Sequence, residues 1–261
     1  MSDDKTAVVK SADRTLTVLE YLATTGSART LAEIADALQL PKSSMHGLLR
    51  NLLSRGWLST DGEGAGVRYR IGPQALTVGA AYVAGDDIVR RSASIIDALS
   101  AELGETIHLG ILDGTDIVYL AKRDAQHSLR LVSGIGIRLP AYATALGKML
   151  MATADERTLL RILEAPRDRL TTKTLVDEAE LLEDLEQTRR RGYAVDNEES
   201  TEGVRCFAVA IGTTAPFTHA ISCSVPVARL SADFESRVIE KLIRSAERFA
   251  ETETERSFFR P

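Results

Sequence analysis

Between Thr30 and Arg55 the apolar positions follow two short helical periods. Leu31, Ile34, Ala35 and Leu38 share one face of a first helix, and Thr30 and Glu33 have the spacing of a capping box at its start. Gln39-Leu40 leaves room only for a turn, and Pro41 sits where the first helical residue tolerates a missing N–H. In the second helix Met45, Leu48, Leu49, Leu52 and Leu53 face a core. The opposite face carries Lys42, Ser43, Ser44, His46, Gly47, Arg50 and Asn51: donors for base edges and phosphates, and no carboxylate. The pattern predicts a helix-turn-helix whose second helix enters a major groove. Taken alone, the pair also fits an ordinary helical hairpin with a solvated polar face.

The flanks extend this unit. Ser11 is placed to cap a helix from Ala12 to about Thr24, with Leu16, Leu19, Leu22 and Ala23 inward and Gly26 at its end. After Gly56, Trp57 to Thr60 reads as a strand, Asp61 to Gly66 as a turn, and Val67 to Ile71 as a returning strand with strict alternation. Val67, Tyr69 and Ile71 face one way, while Arg68 and Arg70 face the other, where they suit phosphate or minor-groove contact. Three helices followed by a hairpin make a winged helix-turn-helix, ending at Gly72-Pro73.

Beyond it, Gln74 to Ala84 can form a small-residue helix leading out of the domain. Val89, Ser92, Ile96, Leu99 and Leu103 form a stripe that is core or a dimer seam, ended by Gly104. Strands are expected at Thr106 to Leu112 and Asp116 to Lys122, joined by an Asp113-Gly114 turn, and at Leu129 to Ser133, with a Gly134–Gly136 loop after them. Helices follow at Ala145 to Ala152, Asp155 to Leu163 and Glu178 to Arg191, and strands at Tyr193 to Asp196, Arg205 to Ile211 and Ala220 to Val225. A long final helix from Asp233 to about Glu251 turns Phe234, Val238, Leu242, Ala246 and Phe249 inward. This order suggests an α+β domain on a mostly antiparallel sheet.

Composition narrows the class. The chain has 261 residues, 44% apolar and 26% charged, as expected of a soluble globular protein of one or two domains. No apolar run is long enough to span a membrane, and MSDDKTAVVK lacks a signal-peptide core. Two cysteines, Cys206 and Cys223, make no disulfide framework, so a cytoplasmic location is expected. The net charge of −5 excludes a wholly basic nucleic-acid coat, but between Leu38 and Leu58 the charged residues are Lys42, Arg50 and Arg55. His46, His108, His127 and His219 have no metal-ligand spacing, and neither a metal nor a cofactor is expected.

Three segments carry a family likeness: LPKSSMHGLLRNLLSRGWL (40–58), RLPAYATALGKMLMA from Arg138, and RGYAVDNEESTEGVRCFAVAI (191–211) followed by AISCSVP. In this order the chain resembles the IclR-type bacterial transcriptional regulators over nearly its whole length. The resemblance implies a winged helix-turn-helix domain over 1–72, a linker helix over 73–87, and a GAF-like effector-binding domain with an antiparallel sheet over 88–261. It implies a homodimer or dimer of dimers on double-stranded operator DNA, and small metabolites, often carboxylic or aromatic acids, as effectors. By position, the effector site maps onto Ala145, Leu146, Asp196, Cys206, Ser222 and Ser224. A helix start near Ala145 suits a carboxylate, and Ser222 and Ser224 share a strand face. Asp196 suits a ligand hydroxyl better than a bare carboxylate. Two positions depart from the family pattern: Gly47, where many members carry arginine, and Leu146, where a small residue is common. DNA-contacting residues are expected at Lys42, Ser43, Ser44, His46, Arg50, Arg68 and Arg70. The alternatives are a hydrolase using Cys206 with His108 or His219, and a winged interaction module that does not bind DNA.

Overall fold

The computed structural model describes residues 9–62, 64–127 and 133–258. The chain separates into two compact units, Met1–Gly85 and Asp86–Pro261.

The first unit begins with α1 (Lys10–Thr25), whose N-cap is Val9 without a side-chain bond, so Ser11 lies inside the helix rather than capping it. The buried residues are Val18 and Leu22, and Leu16 is exposed, because the core needs only a narrow stripe of this helix. Gly26 ends it at φ 60°, a left-handed turn that suits glycine. The short strand β1 (Arg29–Thr30) leads into α2 (Leu31–Ala37). Here the capping box is present: Glu33 N donates to Thr30 Oγ1 at 3.2 Å and Thr30 N to Glu33 Oε2 at 2.7 Å. Gln39, at φ 53°, turns the chain, and Pro41 becomes the N-cap of α3 (Lys42–Ser54), one residue earlier than its expected place. Met45, Leu49 and Leu52 are buried against Val18, Leu22, Ile34, Ala35 and Leu58. β2 (Leu58–Asp61) and β3 (Arg68–Ile71) pair antiparallel, and β1 adds to the far edge of β3, giving the order β1-β3-β2. Trp57 precedes β2 instead of belonging to it. Gly72 crosses so close to this strand that a Cβ there would lie 2.4 Å from Gly56 O. Helix α4 (Pro73–Gly85) closes the unit with no buried residue.

Among the described residues the second unit holds a six-stranded antiparallel sheet of order β6-β5-β4-β9-β8-β7. It opens with α5 (Asp87–Leu103), capped by Asp86 and ended by Gly104 at φ 70°; the expected stripe, Val89 to Leu103, is buried. β4 (Thr106–Asp113) and β5 (Asp116–Arg123) form a hairpin in which Asp113 pairs with Asp116, so the turn is Gly114-Thr115, one residue later than expected. The expected strand from Leu129 falls outside the described residues apart from Ser133, which is coil. β6 (Arg138–Pro140) was not foreseen. Then come α6 (Ala145–Thr153), α7 (Glu156–Leu163), α8 (Glu178–Arg191), β7 (Ala194–Asn197), β8 (Val204–Ile211), β9 (His219–Pro226) and α9 (Ala232–Phe258).

Side chains alternate across a sheet, and the two faces differ. Tyr119, Cys206, Ala208 and Ala220 join the core beneath α6 and α8. Phe207, Val209, Ile221 and Val225 are buried on the other face, the side on which α5 and α9 contact the sheet. Small residues on the α6 side bring that helix close. A Cβ on Gly110 would lie 3.2 Å from Leu146 Cδ1, and one on Gly147 would lie 2.1 Å from Ala141 O. Gly147 thus lets the first turn of α6 rest on the Ala141–Ala143 turn. Among the described residues no helix is long and apolar enough to cross a membrane.

Candidate functional site

Two sets of residues carry the chemistry, one in each unit. In the first unit the buried stripe of α3 fixes which residues face outward. Lys42, Ser43, Ser44, His46, Arg50 and Asn51 are all exposed, and nothing lies within 4 Å of where a Gly47 Cβ would be. Ser44 Oγ donates to Pro41 O, and Lys42 lies 3.8 Å from Asp36. Two wing residues are tied down more than their strand pattern suggested. Arg68 reaches Ala28 O at 3.3 Å and Glu33 Oε2 at 3.4 Å; Arg70 lies 3.4 Å from Asp61. These pairs are half exposed, so they cost little to exchange for a phosphate.

In the second unit all six residues expected at the effector site line one cavity of about 100 Å3. Ala145 and Leu146 reach it because α6 starts there; Asp196 and Cys206 face each other across the β7–β8 ladder. Cys206 pairs with Ser224, and Ser222 lies two residues along β9 on the same face. The sequence reading missed Tyr119, Ser133, Ile137, Leu139, Thr144, Ser200, Thr201 and Val204, which complete the lining. Among the described lining residues none is a lysine, arginine or histidine.

The cavity is nevertheless rich in donors. Thr144 caps α6 by accepting from Gly147 N at 3.1 Å. The Ala145 and Leu146 amides, first and second in the helix, find no acceptor among the described residues. Such amides, with the helix dipole behind them, attract an anion. Ser222 makes no side-chain hydrogen bond among the described residues, and Ser224 Oγ accepts from the Cys206 thiol at 3.3 Å, which leaves its own proton free. Burial raises the Tyr119 phenol, with the nearby Asp196 carboxylate adding to it, so the hydroxyl stays protonated.

Asp196 is the acidic group of the cavity. It accepts from Glu199 N at 2.7 Å, Ser200 N at 3.3 Å and Ser200 Oγ at 2.6 Å. Burial raises its carboxyl above the ordinary range, and these bonds oppose the rise.

The thiol-nucleophile alternative does not assemble. Burial pushes the Cys206 thiol well above its usual value, which removes the reactive thiolate. Neither histidine contacts it: His108 Nε2 meets Ser133 Oγ at 2.7 Å, and His219 Nε2 meets Asp86 Oδ2 at 2.8 Å. Among the described residues no group of three or more His, Cys, Asp or Glu could hold a metal ion.

Comparison with known proteins matches both units. Residues 11–62 match the IclR helix-turn-helix domain, and residues 80–250 match the bacterial transcriptional regulator IclR C-terminal family. The HTH-type transcriptional regulator BhcR of Paracoccus denitrificans is 36% identical over 240 residues, covering 91% of this chain and 85% of that protein. An IclR transcriptional regulator from Alicyclobacillus acidocaldarius superposes with a TM-score of 0.81 at 25% identity, over 94% of this chain and 98% of that one. An IclR homolog from Microbacterium hydrocarbonoxydans, complexed with 4-hydroxybenzoate, shares the fold with a TM-score of 0.76 at 21% identity, over 90% and 95% of the two chains.

Proposed function

Because the chain belongs to the IclR family of bacterial transcriptional regulators, and so is a DNA-binding regulator with an effector-binding C-terminal domain and not an enzyme, we propose that its effector is a small hydroxylated organic acid. One observation carries this reading: the unpartnered amides of Ala145 and Leu146 and the undonated hydroxyl protons of Ser222 and Ser224 border one cavity whose lining, among the described residues, holds no cation. Neutral donors at a helix start bind a carboxylate without a counter-charge. Asp196 and the Tyr119 hydroxyl then favour a ligand that also carries a hydroxyl. The 4-hydroxybenzoate complex of the Microbacterium homolog is in keeping with this class.

In this account Lys42, Ser43, Ser44, His46 and Arg50 contact operator DNA from α3, and Arg68 and Arg70 contact it from the wing. The protein acts in the cytoplasm, as a homo-oligomer. Helix α4 supports the oligomer: its thirteen residues carry no charge, and Leu76, Val78 and Tyr82 are 76%, 51% and 58% exposed. An apolar surface of this kind marks an interface, and a second copy of the chain covers it. The acid changes DNA binding only by binding two arrangements of the protein with different affinity.

Calorimetric titration with a panel of acids, with and without hydroxyls, tests the effector class. One hydroxylated acid should bind, and Ser222→Ala should weaken it. Binding of amines or neutral sugars in preference to acids would overturn the reading.

A further inference from the structure

Lys148 is fully buried, two residues beyond the cavity-lining Leu146, and does not itself line the cavity. Its Nζ meets Glu199 Oε1 at 2.6 Å and Oε2 at 2.9 Å, and lies 2.9 Å from Asp184 Oδ2 on α8. Asp184 in turn lies 3.6 Å from Arg191. A buried ion pair is a poor source of net stability, since well-packed apolar side chains serve as well. What it fixes is geometry.

The geometry here is that of a loop. Glu199 Oε1 also accepts from Asn197 N at 3.0 Å. The Thr174 hydroxyl donates to Glu199 O at 2.7 Å, and that of Thr171 to Glu198 O at 2.7 Å. Glu198 sits at φ 63°, a left-handed conformation that a non-glycine residue keeps only when its surroundings hold it. The same loop ties Asp196 to the Glu199 and Ser200 amides and delivers Ser200 and Thr201 to the cavity wall. One ion pair therefore links the helix that supplies the Ala145 and Leu146 amides to the loop that forms the opposing wall.

We propose that Lys148 is the positioning residue of the effector cavity, setting through Glu199 the spacing between the α6 amides and the Asp196–Thr201 wall. The proposal rests on reading this cavity as the effector site. Lys148 touches no ligand; it acts through Glu199.

Hydrogen exchange on the full-length chain tests it. In Lys148→Met the amides of Asn197, Glu199 and Ser200 should exchange at least tenfold faster, while those of β4 and β5 keep their protection. Glu199→Gln, which keeps the side-chain volume and an acceptor for Asn197 N, should give a smaller change in the same amides and provides the readout if Lys148→Met fails to fold. Titration with 4-hydroxybenzoate and with lactate reports on the cavity in parallel. An acid that binds the wild type should bind Lys148→Met at least tenfold more weakly, with DNA affinity in the absence of acid unchanged. Unchanged exchange at the loop in both variants would overturn the proposal. So would equal acceleration of every strand, which would make the pair merely a support of the fold. If the loop loosens as expected but neither acid binds the wild type, the positioning role stands and what is excluded is 4-hydroxybenzoate and lactate as effectors.

Discussion

The His108 ring stacks on the Tyr119 ring, with 4.3 Å between centroids and 17° between planes. The imidazole is buried, bonds Ser133 through Nε2, and has no partner at Nδ1 among the described residues. Burial, aided by the nearby Lys122 charge, lowers its pKa from 6.5 to about 3. The ring therefore stays neutral and holds a cavity wall, Tyr119 and Ser133, without adding charge to it.

That depression has a pH consequence. Because the folded pKa is the lower one, the unfolded chain takes up the proton first. His108's contribution is fully present above pH 6.5 and is lost as pH falls from 6.5 toward about 3. The slope is at most about 1.4 kcal/mol per pH unit. Thermal unfolding between pH 4 and 8 should show wild type losing stability on the acid side more steeply than His108→Asn. Parallel curves would contradict this account of the ring.

Two glycines inside helices should respond oppositely to alanine. A Gly147 Cβ would lie 2.1 Å from a backbone oxygen, so Gly147→Ala must push α6 off the Ala141 turn. Overpacking of this kind costs about 1–3 kcal/mol or more. Gly47 has open space, and Gly47→Ala should stabilise α3 by up to about 1 kcal/mol. Denaturant unfolding of both variants checks the contrast.

Thr30→Ala removes one half of the capping box and loosens Glu33, which also meets Arg68. The loss should be about 1 kcal/mol, read by urea unfolding. A loss below about 0.3 kcal/mol would mean that the box is not formed in solution.

Arg50→Ala and Ser222→Ala should separate the two activities. Losing an exposed cation on α3 should weaken operator binding by about 1–3 kcal/mol if it reads a base, or lower the salt slope by about one if it meets a phosphate. Acid binding should be unchanged. Ser222→Ala should weaken acid binding and leave DNA affinity alone. If each variant damaged both assays, the division of labour would be wrong.

Much of this architecture is legible because its signals are local. The capping box at Thr30 and Glu33, the glycine ends at Gly26 and Gly104, and the bounds of α8 each depend on neighbours a few residues away. The misses have the opposite character. β1 and β6 are two and three residues long, too short for any periodicity to register, and exist because β3 and β5 offer them an edge. Tyr119 and Thr144 reach the cavity through strand register and helix docking, which no spacing along the chain encodes. Ser200 and Thr201 do so through a loop pinned by a lysine some fifty positions away. The six residues that the structure brings to one cavity came from a family likeness, with the period-two spacing of Ser222 and Ser224 as the part that the residues alone supplied.

The central claim is that this chain reads specific DNA and that a small acid alters the reading. Fluorescence anisotropy tests both at once, with DNA from upstream of the protein's own gene titrated against random DNA at two salt concentrations, with and without a panel of aliphatic and aromatic acids. The account predicts tight, sequence-selective binding shifted by one hydroxylated acid. Equally weak binding to both DNAs, vanishing with salt as non-specific contacts do, would contradict it.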